Sequence, residues 1–146
     1  MDPAQRKFVE VVYEALESSG TPLHTLVGSK TGCFVGNFNY DHQLMHYRDA
    51  EYPEPYAVTG GGITVLSNRV NYLFDLKGPS MTLDTACSSS MYALHLACSA
   101  IHSGECTAAI VGGSNLILTP ECQIFSSFLG AVSPTSQCHT FDASGK

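Results

Sequence analysis

The sequence contains no tryptophan and few charged side chains, since Asp, Glu, Lys and Arg make up 14% of its 146 residues. Seven basic residues stand against thirteen acidic ones, which gives a formal net charge of −6. This balance, without any run of basic residues, excludes nucleic acid and an anionic membrane surface as expected partners. The chain also lacks an apolar stretch of the roughly 18 residues that a membrane-spanning helix needs, and its start lacks the apolar segment of a signal peptide. We therefore expect a cytoplasmic protein.

Disulfide bonds are not expected either. The sequence has six cysteines, but it has no Asn-x-Ser/Thr sequon and no secretory signal. Structural disulfides belong to oxidising compartments, so reduced thiols are the interpretation that fits this composition.

Charge is distributed unevenly along the chain. Between Gly78 and Phe141 the residues with a formal charge are Asp84, Glu105 and Glu121, whereas about 25% of the residues of a typical globular domain are charged. The composition is 44% hydrophobic, which excludes a disordered chain and allows a real core. We expect the uncharged half to be covered by a partner subunit or by further sequence.

Strand and helix patterns alternate along the sequence. Apolar residues at helical spacing predict helices over residues 5–18, 63–76 and 87–102. Small and β-branched residues predict strands over residues 31–37, 80–86 and 107–118, the last of them buried on both faces. Residues 38–55 predict surface helix and loop, and the residues after 118 predict loop with one short helix. This alternation indicates an α/β fold built in layers.

The candidate chemistry lies at the junction of the second strand with the helix that follows, in the segment DTACSSS from Asp84 to Ser90. A cysteine in the first turn of a helix lies against unpaired backbone N–H groups and the positive end of the dipole, which favours the thiolate. Its own N–H group can also help to hold an oxyanion. Cys87 is therefore a candidate nucleophile. The alternative is a buried structural cysteine beside a serine N-cap.

A second group of residues raises the possibility of a zinc site. Its members follow one face of the predicted helix or lie just beyond it: Met91, His95, Cys98, His102 and Cys106. Histidine and cysteine are the ligands that zinc prefers. The group lacks a Cys-x-x-Cys pair, however, and such a stripe more often belongs to a core or an interface.

From Gly78 to Ser90 the sequence GPSMTLDTACSSS resembles the β-ketoacyl synthase (ketosynthase) domain of polyketide synthases, and it is most similar to the iterative fungal type I enzymes. Further segments resemble the same family in the same order: Met1 to Arg6 resembles MDPQQR, Ser67 to Arg69 is SNR, Gly104 to Cys106 is GEC, and Phe141 to Ser144 is FDAS. The resemblance covers nearly the whole chain.

The resemblance implies an α/β, thiolase-like fold with α-β-α-β-α layers, with Cys87 at the N-terminus of a buried central helix. It implies an acyltransferase of polyketide or fatty-acid-type biosynthesis in which Cys87 is the acyl-thioester nucleophile. The acyl group arrives on the phosphopantetheine of an acyl carrier protein. A malonyl-type extender then loses its carboxylate and attacks the Cys87 thioester in a decarboxylative Claisen condensation.

The same resemblance implies no directly bound cofactor and no metal. It implies as partners an acyl carrier protein domain, acyl and malonyl thioesters, and a second copy of the complete domain in a homodimer.

The two catalytic histidines of the family lie in an HGTGT segment and a later GH segment, and this sequence contains neither. We expect residues 1–146 to be a partial ketosynthase domain, truncated at both ends and holding part of the N-terminal half. We expect this part alone not to catalyse the condensation reaction. A second hypothesis is a non-catalytic remnant that binds a ketosynthase subunit or a carrier protein through an exposed apolar face. A small zinc-binding module is the third.

Overall fold

The computed structural model describes residues 1–48, 51 and 55–143. The chain divides into two compact units, Met1–Leu116 and Ile117–Lys146. The described elements of the first unit are α1 (Pro3–Ser19), α2 (Leu23–Leu26), β1 (Thr31–Asn37), α3 (Asp41–Tyr47), α4 (Ala57–Gly61), α5 (Val65–Leu73), β2 (Ser80–Leu83), α6 (Ser89–His102) and β3 (Ala108–Ser114). The second unit contains α7 (Pro120–Phe128).

The three strands form one parallel sheet in the order β2-β1-β3. The central strand β1 pairs with both neighbours, so that Cys33 lies opposite Ser80 on one side and Ile110 on the other. All seven residues of β1 are buried, as expected for the middle strand of a parallel sheet.

Helices cover both faces of this sheet. Because successive side chains of a strand point to opposite faces, Cys33 and Val35 of β1 pack in the core formed with α1 and α5. Phe34 packs instead against the alanines on the inner face of α6. The result is an α-β-α arrangement around a parallel sheet, which confirms the predicted α/β class.

Several boundaries differ from the predicted ones. β2 ends at Leu83 and α6 begins at Ser89, so that residues 84–88 form a turn rather than the end of a strand and the start of a helix. β3 spans seven residues, and the prediction that it is buried on both faces is wrong, because it is partly exposed as an edge strand of the described sheet.

The uncharged half of the chain carries many exposed apolar side chains. On α6, Met91 is 66% exposed and Tyr92 is 55% exposed, while Ala93 and Ala97 on the inner face are buried. In this chain α6 is therefore buried along the face that packs on the sheet and exposed along the other. Cover by further polypeptide stays a prediction.

Among the described residues, no helix has both the length and the apolar character needed to cross a membrane.

Candidate functional site

The turn between β2 and α6, residues 84–88, is closed by hydrogen bonds of the Asp84 and Ser89 side chains. The Ala86 N–H donates to Asp84 Oδ1 at 3.0 Å, and the Thr85 N–H donates to Ser89 Oγ at 2.9 Å. Ser89 Oγ in turn donates to the Ala86 carbonyl at 2.6 Å. These bonds fix the path of the chain on both sides of Cys87.

Ala86 adopts a left-handed backbone conformation with φ of 55°. A residue with a Cβ atom pays about 1–2 kcal/mol in this region. The surrounding hydrogen bonds must offset that cost, and the conformation turns the chain sharply from the strand into the helix.

Valine at position 86 is expected to lower the free energy of unfolding by about 1–3 kcal/mol, because a β-branched side chain fits poorly both the positive φ and the tight turn. Glycine there is expected to leave stability unchanged or to raise it by up to about 1 kcal/mol, because it adopts positive φ without strain. Urea unfolding of Ala86→Val and Ala86→Gly beside the parent measures both effects. Equal midpoints for valine and glycine would contradict the left-handed conformation.

Cys87 lies one residue before the N-cap of α6, which is Ser88. The prediction that Cys87 occupies the first helical turn is therefore wrong by two residues. The reason is local: Ser88 Oγ donates back to the Thr85 carbonyl at 2.8 Å, which keeps residues 85–88 in the turn. The thiol itself is exposed, so the alternative of a buried structural cysteine is also wrong for this chain.

Cys87 lines an open cavity of about 490 Å³. The other lining residues come from the ends of β1 and β3 and from the start of α6: Gly36, Asn37, Phe38, Ala86, Ser89, Ser90, Gly113, Ser114 and Asn115. Parallel α/β sheets bind ligands outside the carboxyl ends of their strands. The candidate nucleophile thus lies at the edge of the sheet where a substrate is expected.

The start of α6 packs directly on the backbone of β1. A Cβ atom added to Gly36 would lie 2.5 Å from the Ser90 nitrogen and 2.6 Å from the Ser89 carbonyl carbon. Glycine at position 36 is therefore what lets the helix, and the turn that precedes it, approach the sheet.

The segments that resemble MDPQQR and SNR stabilise the first unit rather than line the cavity. Asp2 caps α1 by accepting from the Ala4 N–H at 2.7 Å. Gln5, 1% exposed, donates to the Gly62 carbonyl at 3.1 Å and accepts from Arg69 Nε at 2.8 Å. The two segments are thus joined by a partly buried hydrogen-bond network that the sequence patterns do not predict.

The GEC segment also has a structural role. Gly104 has φ of 76° at the end of α6, and Cys106 is 2% exposed in the core between α6 and the sheet. The FDAS segment lies in the second unit, and its Ser144 falls outside the described residues.

The thiols differ widely in their surroundings. All six cysteines lie in the described part of the chain and are free. Cys33 and Cys106 are buried, and burial raises the pKa of the Cys33 thiol to about 12. Cys87, Cys98 and Cys138 are exposed. A hydrogen bond with Thr140, 2.9 Å from Sγ to Oγ1, lowers the pKa of Cys138.

The zinc hypothesis is not supported. Across residues 1–48, 51 and 55–143, no three side chains of His, Cys, Asp or Glu come together in a way that could hold a metal ion. Of the proposed group, Met91, His95, Cys98 and His102 are exposed on α6, whereas Cys106 is buried.

Comparison with known proteins assigns the chain to a family. The family model for the β-ketoacyl synthase N-terminal domain matches residues 1–146. The chain is 62% identical over 144 residues to a highly reducing polyketide synthase of Aspergillus sclerotiorum and 59% identical over 144 residues to prosolanapyrone synthase of Alternaria solani. Each alignment covers 99% of this chain and 6% of the relative, so the chain spans a small part of these proteins.

Solved structures agree with this result. A ketosynthase from module 6 of the bacillaene synthase of Bacillus subtilis is 34% identical with a TM-score of 0.82, covering 95% of this chain and 23% of the other. The oxazolomycin ketosynthase domain of Streptomyces albus is 37% identical with the same TM-score of 0.82, covering 99% and 25%. The fold is therefore the thiolase-like one that the sequence resemblance implies, in part. With the matching model, these similarities show that the chain belongs to the β-ketoacyl synthase family, within its N-terminal domain.

Proposed function

We propose that Cys87 is the acyl acceptor of a condensing enzyme, an acyltransferase that elongates an acyl chain by decarboxylative Claisen condensation. The observation that carries the proposal is the exposed Cys87 thiol in the cavity at the carboxyl ends of β1 and β3. Family membership and the similarity to fungal highly reducing polyketide synthases support the same reaction class.

The first step is an exchange of thioesters. The Cys87 sulfur, as thiolate, attacks the acyl carbonyl carbon of a thioester carried on the phosphopantetheine of an acyl carrier protein. A new C–S bond forms at Cys87, the old C–S bond breaks, and the phosphopantetheine sulfur leaves as a thiolate that takes up the proton lost by Cys87. The open cavity beside Cys87 has room for the approaching arm.

The second step forms the carbon–carbon bond. The bond between the extender's α-carbon and its carboxylate breaks with loss of CO₂, and the electron pair attacks the Cys87 thioester carbon. Cys87 leaves as thiolate, and the β-ketoacyl product stays on the carrier. The two histidine motifs of the family are not in this sequence, so we assign the second step to a longer synthase. We propose that this synthase acts as a homodimer, works with a carrier protein domain and binds no cofactor directly. A cytoplasmic location stays a prediction.

Intact-mass measurement tests the proposal with the chain as it is. Incubation with a long-chain acyl-CoA is expected to add one acyl group per molecule, and neutral hydroxylamine is expected to remove it because the new bond is a thioester. Addition of malonyl-CoA to the acylated chain is expected to release no β-ketoacyl product. An absence of acyl transfer, or equal addition at several thiols, would contradict the proposed role of Cys87.

A further inference from the structure

Tyr40 reaches the turn of the candidate nucleophile from a distant part of the sequence. It lies between the end of β1 and the start of α3, and its hydroxyl donates to Asp84 Oδ2 at 2.8 Å, across a sequence separation of 44 residues. The other oxygen of the same carboxylate, Oδ1, accepts from the Ala86 N–H at 3.0 Å. One carboxylate therefore connects Tyr40 to the residue immediately before Cys87.

The segment that carries Tyr40 is itself held in place. The Asn37 side-chain amide donates to the Asn39 carbonyl at 2.9 Å, and the Asp41 N–H donates to Asn39 Oδ1 at 2.8 Å. Tyr40 is thus anchored on both sides, and its hydroxyl fixes the rotation of the Asp84 carboxylate. A carboxylate that is fixed in rotation keeps its second oxygen aimed at the Ala86 N–H.

This contact matters because Ala86 is the strained residue of the turn, with φ of 55°. A hydrogen bond to its N–H favours the left-handed conformation over the extended or helical ones that alanine otherwise prefers. The conformation of Ala86 sets the direction of the chain at the following residue, Cys87.

The Tyr40–Asp84 hydrogen bond needs an ionised carboxylate and a protonated phenol. Hydrogen bonds from the Ala86 N–H and the Tyr40 hydroxyl lower the pKa of Asp84 from its ordinary value of 3.8. The bond to Asp84 raises the pKa of Tyr40 from its ordinary value of 10.0. A lowered carboxyl pKa means that the acceptor form is lost only in acid, and a raised phenol pKa means that the donor form is lost only in alkali. The carboxylate of Asp84 and the protonated hydroxyl of Tyr40 therefore coexist at neutral pH.

We propose that Tyr40 is a positioning residue for Cys87: through Asp84 it holds residues 84–88 in the conformation that presents the thiol to the cavity. This inference rests on the proposed function, because Tyr40 affects catalysis only if Cys87 accepts the acyl group. Tyr40 itself does not need to touch the substrate.

Tyr40→Phe removes the hydroxyl and keeps the ring. We expect acyl transfer to Cys87 from a long-chain acyl-CoA to slow by about three- to tenfold, and exchange of the Ala86 amide hydrogen, followed by NMR, to accelerate by about the same factor. Alkylation of Cys87 by iodoacetamide is expected to stay within about twofold, because a small reagent needs only an accessible thiol. Tyr72→Phe is the matched control, since Tyr72 is 84% exposed on α5.

The readouts separate positioning from loss of structure. Cys33 is buried, so its continued resistance to iodoacetamide reports that the variant is folded. Unchanged acyl transfer together with unchanged exchange at Ala86 would overturn the inference, as would equal slowing in Tyr72→Phe. A parent chain that takes no acyl group, with faster Ala86 exchange in Tyr40→Phe, would remove the proposed function and retain the structural coupling between Tyr40 and the turn.

Discussion

Replacing Cys87 by alanine is expected to abolish acyl transfer to the chain and to leave its free energy of unfolding within about 0.5 kcal/mol of the parent. The functional loss is complete because no other atom at position 87 can form the thioester. The small structural effect follows from the exposure of the thiol, which leaves no core cavity when sulfur is removed. Intact-mass acylation and urea unfolding measure the two quantities on the same preparation.

Cys138→Ala is the matched control for this prediction. Cys138 is exposed like Cys87, and its lowered pKa makes it a competitor for small alkylating reagents. Acyl transfer that survives in Cys87→Ala and disappears in Cys138→Ala would mean that Cys138, and not Cys87, is the acyl acceptor. A drop of several kcal/mol in Cys87→Ala would instead mean that the sulfur packs in a core, contrary to its exposure.

Gly36→Ala is expected to have a large effect on the fold, lowering the free energy of unfolding by about 3 kcal/mol. The added methyl group would lie 2.5 Å from the Ser90 nitrogen and 2.6 Å from the Ser89 carbonyl carbon, both of them backbone atoms that a side-chain rotation cannot move. The start of α6 must then shift away from β1. Because the turn that carries Cys87 leads into this helix, we also expect slower acyl transfer in the folded fraction.

Gly113→Ala tests whether this effect is specific. Gly113 lines the same cavity, but its added Cβ would meet only Ser90 Cβ at 3.3 Å and the Gly36 carbonyl oxygen at 3.8 Å. We expect a change of less than about 1 kcal/mol, since a small displacement accommodates the methyl group. Urea unfolding of both variants decides the point, and equal losses of stability would contradict the close packing of α6 on β1.

The regular elements of the first unit follow from local sequence patterns. β1 has the predicted bounds because an apolar segment flanked by turns leaves few alternatives for a buried central strand. α1, predicted over residues 5–18, extends to Pro3–Ser19 because Asp2 caps its start. The turn at residues 84–88 is different, because alternating small residues continue the strand pattern past the observed end of β2 at Leu83. What forms the turn is hydrogen bonding of the Asp84, Ser88 and Ser89 side chains to the backbone of residues 85 and 86.

The sequence predicts the central residue of the candidate site but not the residues that hold it in place. Cys87 stands in a segment whose residue types and spacing resemble one family, so the sequence alone is enough to name it as the candidate nucleophile. Tyr40 gives no comparable signal, because it lies in a polar and aromatic segment with several tyrosines and meets Asp84 only in the folded chain. The Gln5–Arg69 hydrogen bond is long-range in the same way, and no local period of the sequence indicates it.

Peptide mapping after covalent modification shows directly whether Cys87 is the nucleophile of this chain. The folded chain is treated briefly with an epoxide that carries an acyl-like tail, digested, and analysed by mass spectrometry, beside a sample treated after unfolding. We expect one adduct on Cys87 in the folded sample, with Cys98 and Cys138 unmodified although both are exposed. We expect this preference for Cys87 to be lost in the unfolded sample. Equal modification of the three exposed thiols in the folded chain, or no adduct on Cys87, would contradict it.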